Sequence, residues 1–307
     1  MFHVASSDGI SVAVHDLAGT PELPPLLISH ATGFHAHCYV PIARALGDRF
    51  RVLALDYHGH GETAPVPDWT VDWAHFGDDA LAVSRAIAPD GGLLAFGHSM
   101  GGTALLMAAH QQPELFRQLV VFEPIAHPPG GPTVTDAELR QVPIIAGALR
   151  RRSRFPSFEN AYANFRSKPP MSLMTDEVLR NYVDYGFRQI VDEPNQPAVE
   201  LRCEPEGEAG IVMTGRTNGL WPQLSEISTP ALVVGGRVEP MEPSSWTEPI
   251  ADQLPNGDYL SLEHQTHFGP FSHPGEMVET GGAIIAFGVD HGDRFGEAIG
   301  RQVMIGN

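Results

Sequence analysis

Short apolar runs and longer helical patterns alternate along the first 125 residues of the chain. Uninterrupted runs, such as Leu26-Leu27-Ile28 and residues 52–55, are typical of strands buried on both faces of a parallel sheet. Strands are predicted at residues 2–6, 10–17, 25–29, 51–56, 92–97 and 119–123. Helices are predicted at residues 39–46 and 70–87, with Asp68 as a candidate cap of the second. This order favours an α/β fold: a mostly parallel central sheet with helices on both faces.

The pattern changes near residue 128, where a cluster of Pro and Gly is followed by helix-like stretches and few strand-like ones. Strand-like runs return at residues 231–235 and 259–262, and a helical pattern follows at 274–287. We therefore predict an α/β core made of two parts, with a helical cap inserted between them. The core would comprise residues 1–127 and 222–307, and the cap residues 128–221.

Composition narrows the classes of function. The 307 residues are 42% hydrophobic and 18% charged, which is typical of a folded globular protein. With 19 basic and 37 acidic residues, the net charge of −18 would repel nucleic-acid phosphates and anionic membranes. Two cysteines are too few for a disulfide framework, and no apolar stretch approaches the ~20 residues of a membrane helix. We expect a cytoplasmic protein that acts on a small molecule, with no nucleic-acid partner and no membrane insertion.

The strongest motif is Gly97-His98-Ser99-Met100-Gly101, which has the G-x-S-x-G spacing between a predicted strand and a helical run. A sharp strand-to-helix turn at this spacing holds the serine in a strained, accessible position. It also aims the free N–H groups of the helix start, first that of Met100, at an oxyanion forming beside Ser99. A second donor is expected from the loop after the third strand, residues 29–34.

The motif, its setting and the order of the elements resemble the α/β-hydrolase superfamily, in particular its capped serine esterases and carbon–carbon bond hydrolases. The resemblance covers nearly the whole chain. His30-Ala31-Thr32-Gly33 is similar to the His-Gly loop of that family, with Ala at the usual second-position Gly. The resemblance implies that the Thr32 N–H is the second oxyanion donor, with Phe34 as the alternative.

A serine hydroxyl needs a basic partner, and that base needs a third group to fix its tautomer. In this family the chain order is serine, acid, histidine. The resemblance places His267 in the catalytic position, with His264 as the weaker choice. For the acid it favours Glu239, which follows the run at residues 231–235. The alternatives are Glu123, at the end of the preceding strand, and the weaker Glu242.

The cap is expected to cover Ser99 and to determine the substrate specificity. Candidate substrate-binding residues, some of which would simply pack the cap onto the core, are His30, His98, Phe155, Phe158, Tyr162, Phe165 and Tyr185. The resulting hypothesis is a serine hydrolase that cleaves a medium-sized, largely apolar ester, thioester or lactone through an acyl-enzyme, without metal or cofactor. The alternatives are a carbon–carbon bond hydrolase, a biosynthetic cyclase or lyase, and a non-catalytic ligand-binding homologue.

Overall fold

The computed structural model describes residues 1–64, 70–131, 134–192 and 196–278. The strands in these residues are β1 (Phe2–Ala5), β2 (Ser11–Ala18), β3 (Pro25–Ser29), β4 (Arg51–Asp56), β5 (Leu93–His98), β6 (Phe116–Phe122), β7 (Arg154–Phe155), β8 (Phe187–Asp192), β9 (Gln196–Leu201), β10 (Ala231–Gly235) and β11 (Gly257–Ser261). Within the described part of the chain, eight strands form one central sheet in the order β1-β2-β4-β3-β5-β6-β10-β11, and three more form a separate sheet.

The α-helices cover the central sheet and form part of the insertion between β6 and β10. They are α1 (Val40–Leu46), α2 (Trp73–Ile87), α3 (Met100–Gln111), α4 (Asp136–Leu139), α5 (Pro143–Leu149), α6 (Phe158–Arg166), α7 (Asp176–Gly186), α8 (Pro205–Thr214), α9 (Thr247–Gln253), α10 (Gly269–Ser272) and α11 (Pro274–Met277). Helices α2 and α3 pack against each other in one apolar cluster, and α1 belongs to a second cluster. The sheet is therefore covered by a hydrophobic layer on each face.

All neighbouring strands from β4 to β11 in the sheet order are parallel, whereas β1 pairs with β2 and β2 pairs with β4 in antiparallel fashion. The apolar runs of β3, β5 and β10 are buried along nearly their whole length, as strands enclosed between two helical layers require. Because parallel strands end at the same edge of a sheet, the residues that follow β3, β5, β6 and β10 meet at one edge.

The fold confirms the predicted α/β class, and β3, β4 and β10 begin and end where the sequence pattern placed them. The insertion differs from the prediction of a helical cap. Besides helices α4–α8 it contains the antiparallel sheet β7-β9-β8. Its strands were missed because their short sequences are rich in Arg, Gln and Glu and lack a long apolar run.

Two predictions fall partly outside the described residues. Asp68 lies there, and within the described part Asp72 caps α2 by accepting a hydrogen bond from the N–H of Ala74 at 2.9 Å. Of the helix predicted at residues 274–287, the part beyond residue 278 also lies outside. None of the described helices is both long and apolar enough to cross a membrane.

Candidate active site

Ser99 occupies a sharp turn between β5 and α3. Its backbone has φ 55° and ψ −120°, a conformation that L-residues rarely adopt. The turn is held on both sides, because the Ser99 N–H donates to the carbonyl of Phe122 at 2.9 Å and the Ser99 carbonyl accepts from the N–H of Thr103 at 3.1 Å. Hydrogen bonds to the end of β6 and to the first turn of α3 thus stabilise this strained conformation.

The glycines of the motif are required by close packing around this turn. A Cβ on Gly97 would lie 2.6 Å from Cα of Gly102, and one on Gly101 would lie 2.2 Å from the carbonyl oxygen of Ser29. Both distances are far shorter than a van der Waals contact. Helix α3 can therefore approach β3 and β5 this closely only because these positions lack side chains.

The structure pairs His267 with Glu123. His267 Nδ1 lies 2.6 Å from Glu123 Oε2, and the other carboxylate oxygen accepts a hydrogen bond from the N–H of Gly236 at 2.8 Å. Since a carboxylate only accepts, Nδ1 carries a hydrogen, and the neutral form of the ring has its lone pair on Nε2. Among the described residues no hydrogen bond joins this Nε2 to Ser99 Oγ. The connection to the serine turn runs instead through His98, whose Nε2 lies 2.9 Å from the carbonyl oxygen of His267.

The prediction that Glu239 is the partner of His267 is wrong for this structure. The Glu239 carboxylate accepts hydrogen bonds from Nε and a terminal nitrogen of Arg237, at 3.0 and 2.5 Å, and its side chain is 47% exposed. The backbone after β10 is held by two hydrogen bonds, from the N–H of Gly236 to Glu123 and from the N–H of Arg237 to the carbonyl of Gln265. The alternative, Glu123, holds the place beside His267 and is 1% exposed.

The two weaker alternatives also lie on the surface. Glu242 is exposed. His264 is exposed as well, with its Nε2 2.5 Å from a carboxylate oxygen of Glu276. The signal for Glu123 was present in the sequence, because a carboxylate directly after the apolar run of β6 lies at the edge where Ser99 lies. The resemblance gave priority to the strand after the insertion, and sequence alone could not reveal the direction of the turn at Gly236.

Three N–H groups of the loop after β3 have acceptors within the protein. The N–H of Ala31 donates to the Tyr39 hydroxyl at 3.1 Å, that of Gly33 to His60 Nε2 at 3.0 Å, and that of Phe34 to the Ala31 carbonyl at 3.1 Å.

The Thr32 N–H, between them, has no acceptor within the described residues. Met100 is the first residue of α3, so its N–H has no intrahelical acceptor either. Both N–H groups are thus available to an outside oxygen, whereas that of the alternative donor, Phe34, is occupied.

His30 and His98 do not line an accessible cavity, so their prediction as substrate-binding residues is wrong. They are 0% and 1% exposed, and both nitrogens of each ring bond within the protein. His30 Nδ1 lies 2.8 Å from the Ala31 carbonyl, and its Nε2 accepts from the N–H of Tyr57 at 3.0 Å. Burial lowers the pKa of His30 to about 4 and holds the pKa of His98 well below its ordinary range. Both rings are therefore neutral supports of the site at neutral pH.

The predicted aromatic residues of the cap divide into two groups. Phe155 and Phe165 are buried and pack with Phe187 and Tyr182, and Phe158 packs partly buried against the same cluster. Tyr162 also packs partly buried against this cluster, and its hydroxyl donates to Asp176 while its ring stacks under Arg180. Tyr185 differs from the others, because it is 45% exposed and stacked on His37. Of the predicted cap aromatics, Tyr185 therefore lies on the outside.

Sequence reasoning missed a buried ion pair of the cap that touches the loop after β3. A terminal nitrogen of Arg151 donates to Glu208 Oε1 at 2.6 Å, and the Glu208 carboxyl carbon lies 3.0 Å from the point that a Cβ on Gly33 would occupy. Burial raises the pKa of Glu208, and the charge of Arg151 opposes that rise. The cap therefore contacts the loop directly beside Thr32.

An apolar wall continues from this loop to His267. The ring of Phe34 lies 4.4 Å from that of Phe271, 5.4 Å from that of Tyr182 and 6.3 Å from that of Phe268, measured between centroids. Among the described residues, no cluster of three or more His, Cys, Asp or Glu side chains is arranged to hold a metal ion.

Comparison with known proteins agrees with this architecture. The profile of the alpha/beta hydrolase family matches residues 26–280. The chain belongs to this family. Its hydrolase relatives and the retained serine turn make the protein an enzyme of the alpha/beta hydrolase family.

Two curated relatives are similar to this chain over most of their length. "Putative carbamate hydrolase RutD" of Serratia proteamaculans is 25% identical over 249 residues, which is 81% of this chain and 85% of that protein. The pimeloyl-[acyl-carrier protein] methyl ester esterase of Legionella pneumophila is 24% identical over 81% of this chain and 90% of its own. Among solved structures, E-2-(acetamidomethylene)succinate hydrolase superposes with a TM-score of 0.71 at 18% identity, covering 90% of this chain and 95% of that one. At this low sequence identity, the similarity shows that the two proteins share a fold.

Proposed function

We propose that the protein is a serine hydrolase that cleaves carboxylic esters, thioesters or lactones through an acyl-enzyme on Ser99. His267 Nε2 accepts the proton of the Ser99 hydroxyl as that oxygen attacks the substrate carbonyl. Glu123 fixes the tautomer and stabilises the imidazolium, and the N–H groups of Thr32 and Met100 bind the oxyanion. Protonation of the leaving group by His267 and attack by water then release the acid.

The observation that carries this proposal is the 2.6 Å pair of His267 Nδ1 and Glu123 Oε2 at the same sheet edge as Ser99. Glu123 is 1% exposed and is hydrogen-bonded to both His267 and the N–H of Gly236. The orientation of the His267 imidazole is therefore fixed before substrate binds. Support for two oxyanion donors comes from the hydrogen bonds of the loop after β3, which occupy the N–H groups on both sides of Thr32. The acid in this proposal is Glu123 in place of Glu239.

The substrate group next to Ser99 is proposed to be apolar. Phe34, Phe268 and Phe271 lie between the loop after β3 and His267, and an alkyl or aryl group would gain about 25 cal/mol for each Å² of surface it buries there. Localisation in the cytoplasm remains a proposal from the sequence.

The test is a panel of p-nitrophenyl esters, acyl thioesters and lactones of graded chain length, assayed with wild-type protein and Ser99→Ala. We expect turnover of at least one class by the wild type and loss of about 10⁶-fold in the serine variant. Unchanged hydrolysis by a folded Ser99→Ala protein would remove the proposal. Carbon–carbon cleavage remains the alternative, and a diketone in the same panel tests it.

Amide or carbamate hydrolysis is a second candidate, because relatives bear the names carbamate hydrolase and acetamidomethylene-succinate hydrolase. The same residues would serve, with His267 protonating a leaving nitrogen in place of oxygen. Matched ester and amide pairs with the same acyl group discriminate between the two. A kcat/KM for the amide equal to or above that for the ester would favour the second candidate.

A further inference from the structure

A single chain of buried hydrogen bonds runs from the loop after β3 to the backbone of His267. The N–H of Ala31 donates to the Tyr39 hydroxyl at 3.1 Å, that hydroxyl lies 2.9 Å from His98 Nδ1, and His98 Nε2 lies 2.9 Å from the carbonyl oxygen of His267. Tyr39 is 0% exposed and His98 is 1% exposed. This series of hydrogen bonds includes His98, the residue directly before Ser99. It therefore connects the loop after β3, the serine turn and His267.

The direction of every bond in this chain is fixed by its two ends. A backbone N–H can only donate and a carbonyl oxygen can only accept. His98 must therefore carry its hydrogen on Nε2 to reach the carbonyl of His267, which leaves the lone pair on Nδ1 for the Tyr39 hydroxyl. The hydroxyl in turn accepts from Ala31. Every donor and acceptor in the chain is satisfied by this one arrangement.

We propose that Tyr39 and His98 are positioning residues that hold the oxyanion loop and His267 in a fixed relation to Ser99. The proposal rests on the proposed function and deepens it. Neither residue touches the reacting atoms. Tyr39 restrains the peptide next to the Thr32 N–H, and His98 restrains the backbone of His267 through the carbonyl oxygen of that residue.

The Ala31 N–H, the Tyr39 hydroxyl and His98 Nδ1 have no alternative partner among the described residues. Removal of the Tyr39 hydroxyl leaves the Ala31 N–H and His98 Nδ1 unpaired in a site closed to water, and the loop would shift to recover a partner. A displacement of about 1 Å of a catalytic group can cost up to about 100-fold in rate. A role limited to stability would lower the melting temperature and leave the reactivity of Ser99 intact.

The test measures the second-order rate constant for phosphonylation of Ser99 by a fluorophosphonate, because this reading needs no natural substrate. The variants are Tyr39→Phe, His98→Asn and His98→Gln. The Gln amide can donate from near the position of imidazole Nε2, whereas the Asn amide lies near that of Nδ1. The control is Tyr57→Phe, which removes an equally buried hydroxyl that lies 2.6 Å from Ser29 Oγ.

We expect Tyr39→Phe to lower the rate constant by about 10-fold or more, while its melting temperature falls no further than that of the control. His98→Asn should have a similar effect, His98→Gln should recover part of the rate, and the double variant Tyr39→Phe/His98→Asn should be no slower than the slower single one. The NMR signal of the hydrogen on His267 Nδ1 should shift or broaden in Tyr39→Phe and stay in place in the control.

The proposal is overturned if Tyr39→Phe reacts as fast as the control, or if the effects of Tyr39→Phe and His98→Asn multiply as those of independent sites do. Should His98→Asn fail to fold, Tyr39→Phe and His98→Gln decide the matter alone. Failure of the proposed function looks different. In that case wild-type Ser99 itself would not react, and there would be no rate for the variants to lower.

Discussion

The carboxyl ends of β6 and β10 present two glutamates with opposite surroundings. Glu123, after β6, is 1% exposed and bonded to His267 and Gly236. The side chain of Glu239, after β10, is 47% exposed and bonded to Arg237. Both follow an apolar strand whose carboxyl end lies at the edge of the sheet that carries Ser99. The turn after each strand, more than the strand itself, therefore decides which carboxylate reaches the site.

The largest effect is expected from replacing the buried carboxylate. Glu123→Gln keeps the shape but removes the charge that fixes the His267 tautomer and stabilises the imidazolium. We expect kcat to fall by about 10⁴-fold, as for other acids in such triads. Glu239→Gln is the matched control, and its effect on kcat should be below about threefold because its charge is paired at the surface. Ester hydrolysis measured for both variants checks the pair, and a reversal of the two effects would restore Glu239 as the acid.

The next effect concerns Gly236, which directly follows β10 and donates its N–H to Glu123. A Cβ there would lie 2.8 Å from the carbonyl oxygen of Gln265 and 2.9 Å from Glu123 Oε1. Gly236→Ala should therefore displace the carboxylate, lower kcat by about 10-fold or more and destabilise the fold by about 1–3 kcal/mol.

The control for this substitution is Gly147→Ala in α5, where a Cβ would meet no atom within 4 Å. It should stabilise the protein by about 0.5–1 kcal/mol and leave kcat alone. Urea unfolding and ester assays on both variants provide the check. Equal behaviour of the two alanines would show that the close approach at Gly236 is not needed.

The sequence predicted the uniformly apolar strands well, but it did not predict the contacts of individual polar side chains. The uninterrupted apolar runs of β3, β4 and β10 predicted those strands to the residue, and the spacing around Ser99 predicted its strained turn. Local pattern did not reveal whether the polar rings of His30 and His98 face a cavity or a neighbouring peptide. That depends on long-range contacts such as the one between His98 and the carbonyl of His267.

A smaller effect is expected from pH. Burial lowers the pKa of His30 to about 4 and holds the pKa values of His60 and His98 well below the ordinary 6.5. The unfolded chain therefore binds protons first as the pH falls, and the free energy of unfolding should decrease between pH 6.5 and 4. Each such histidine contributes at most about 1.4 kcal/mol for each pH unit. Urea midpoints measured from pH 7.5 to 5 test this, and stability that stays flat or rises towards pH 5 would contradict it.

The smallest effect is expected for the exposed ion pair after β10. Arg237 and Glu239 have side chains that are 61% and 47% exposed, so water and salt screen their attraction. A double-mutant cycle with Arg237→Ala and Glu239→Gln should give a coupling energy below about 1 kcal/mol that declines further in 0.5 M salt. A coupling of several kcal/mol would mean that this pair organises the turn after β10.

The most direct test of the central claim is intact-protein mass spectrometry after treatment with a fluorophosphonate, followed by mapping of the modified peptide. We expect one adduct, on Ser99, that forms in the wild type, forms much more slowly in Glu123→Gln and is absent from Ser99→Ala. An adduct on another residue, or none on folded wild-type protein, would contradict it.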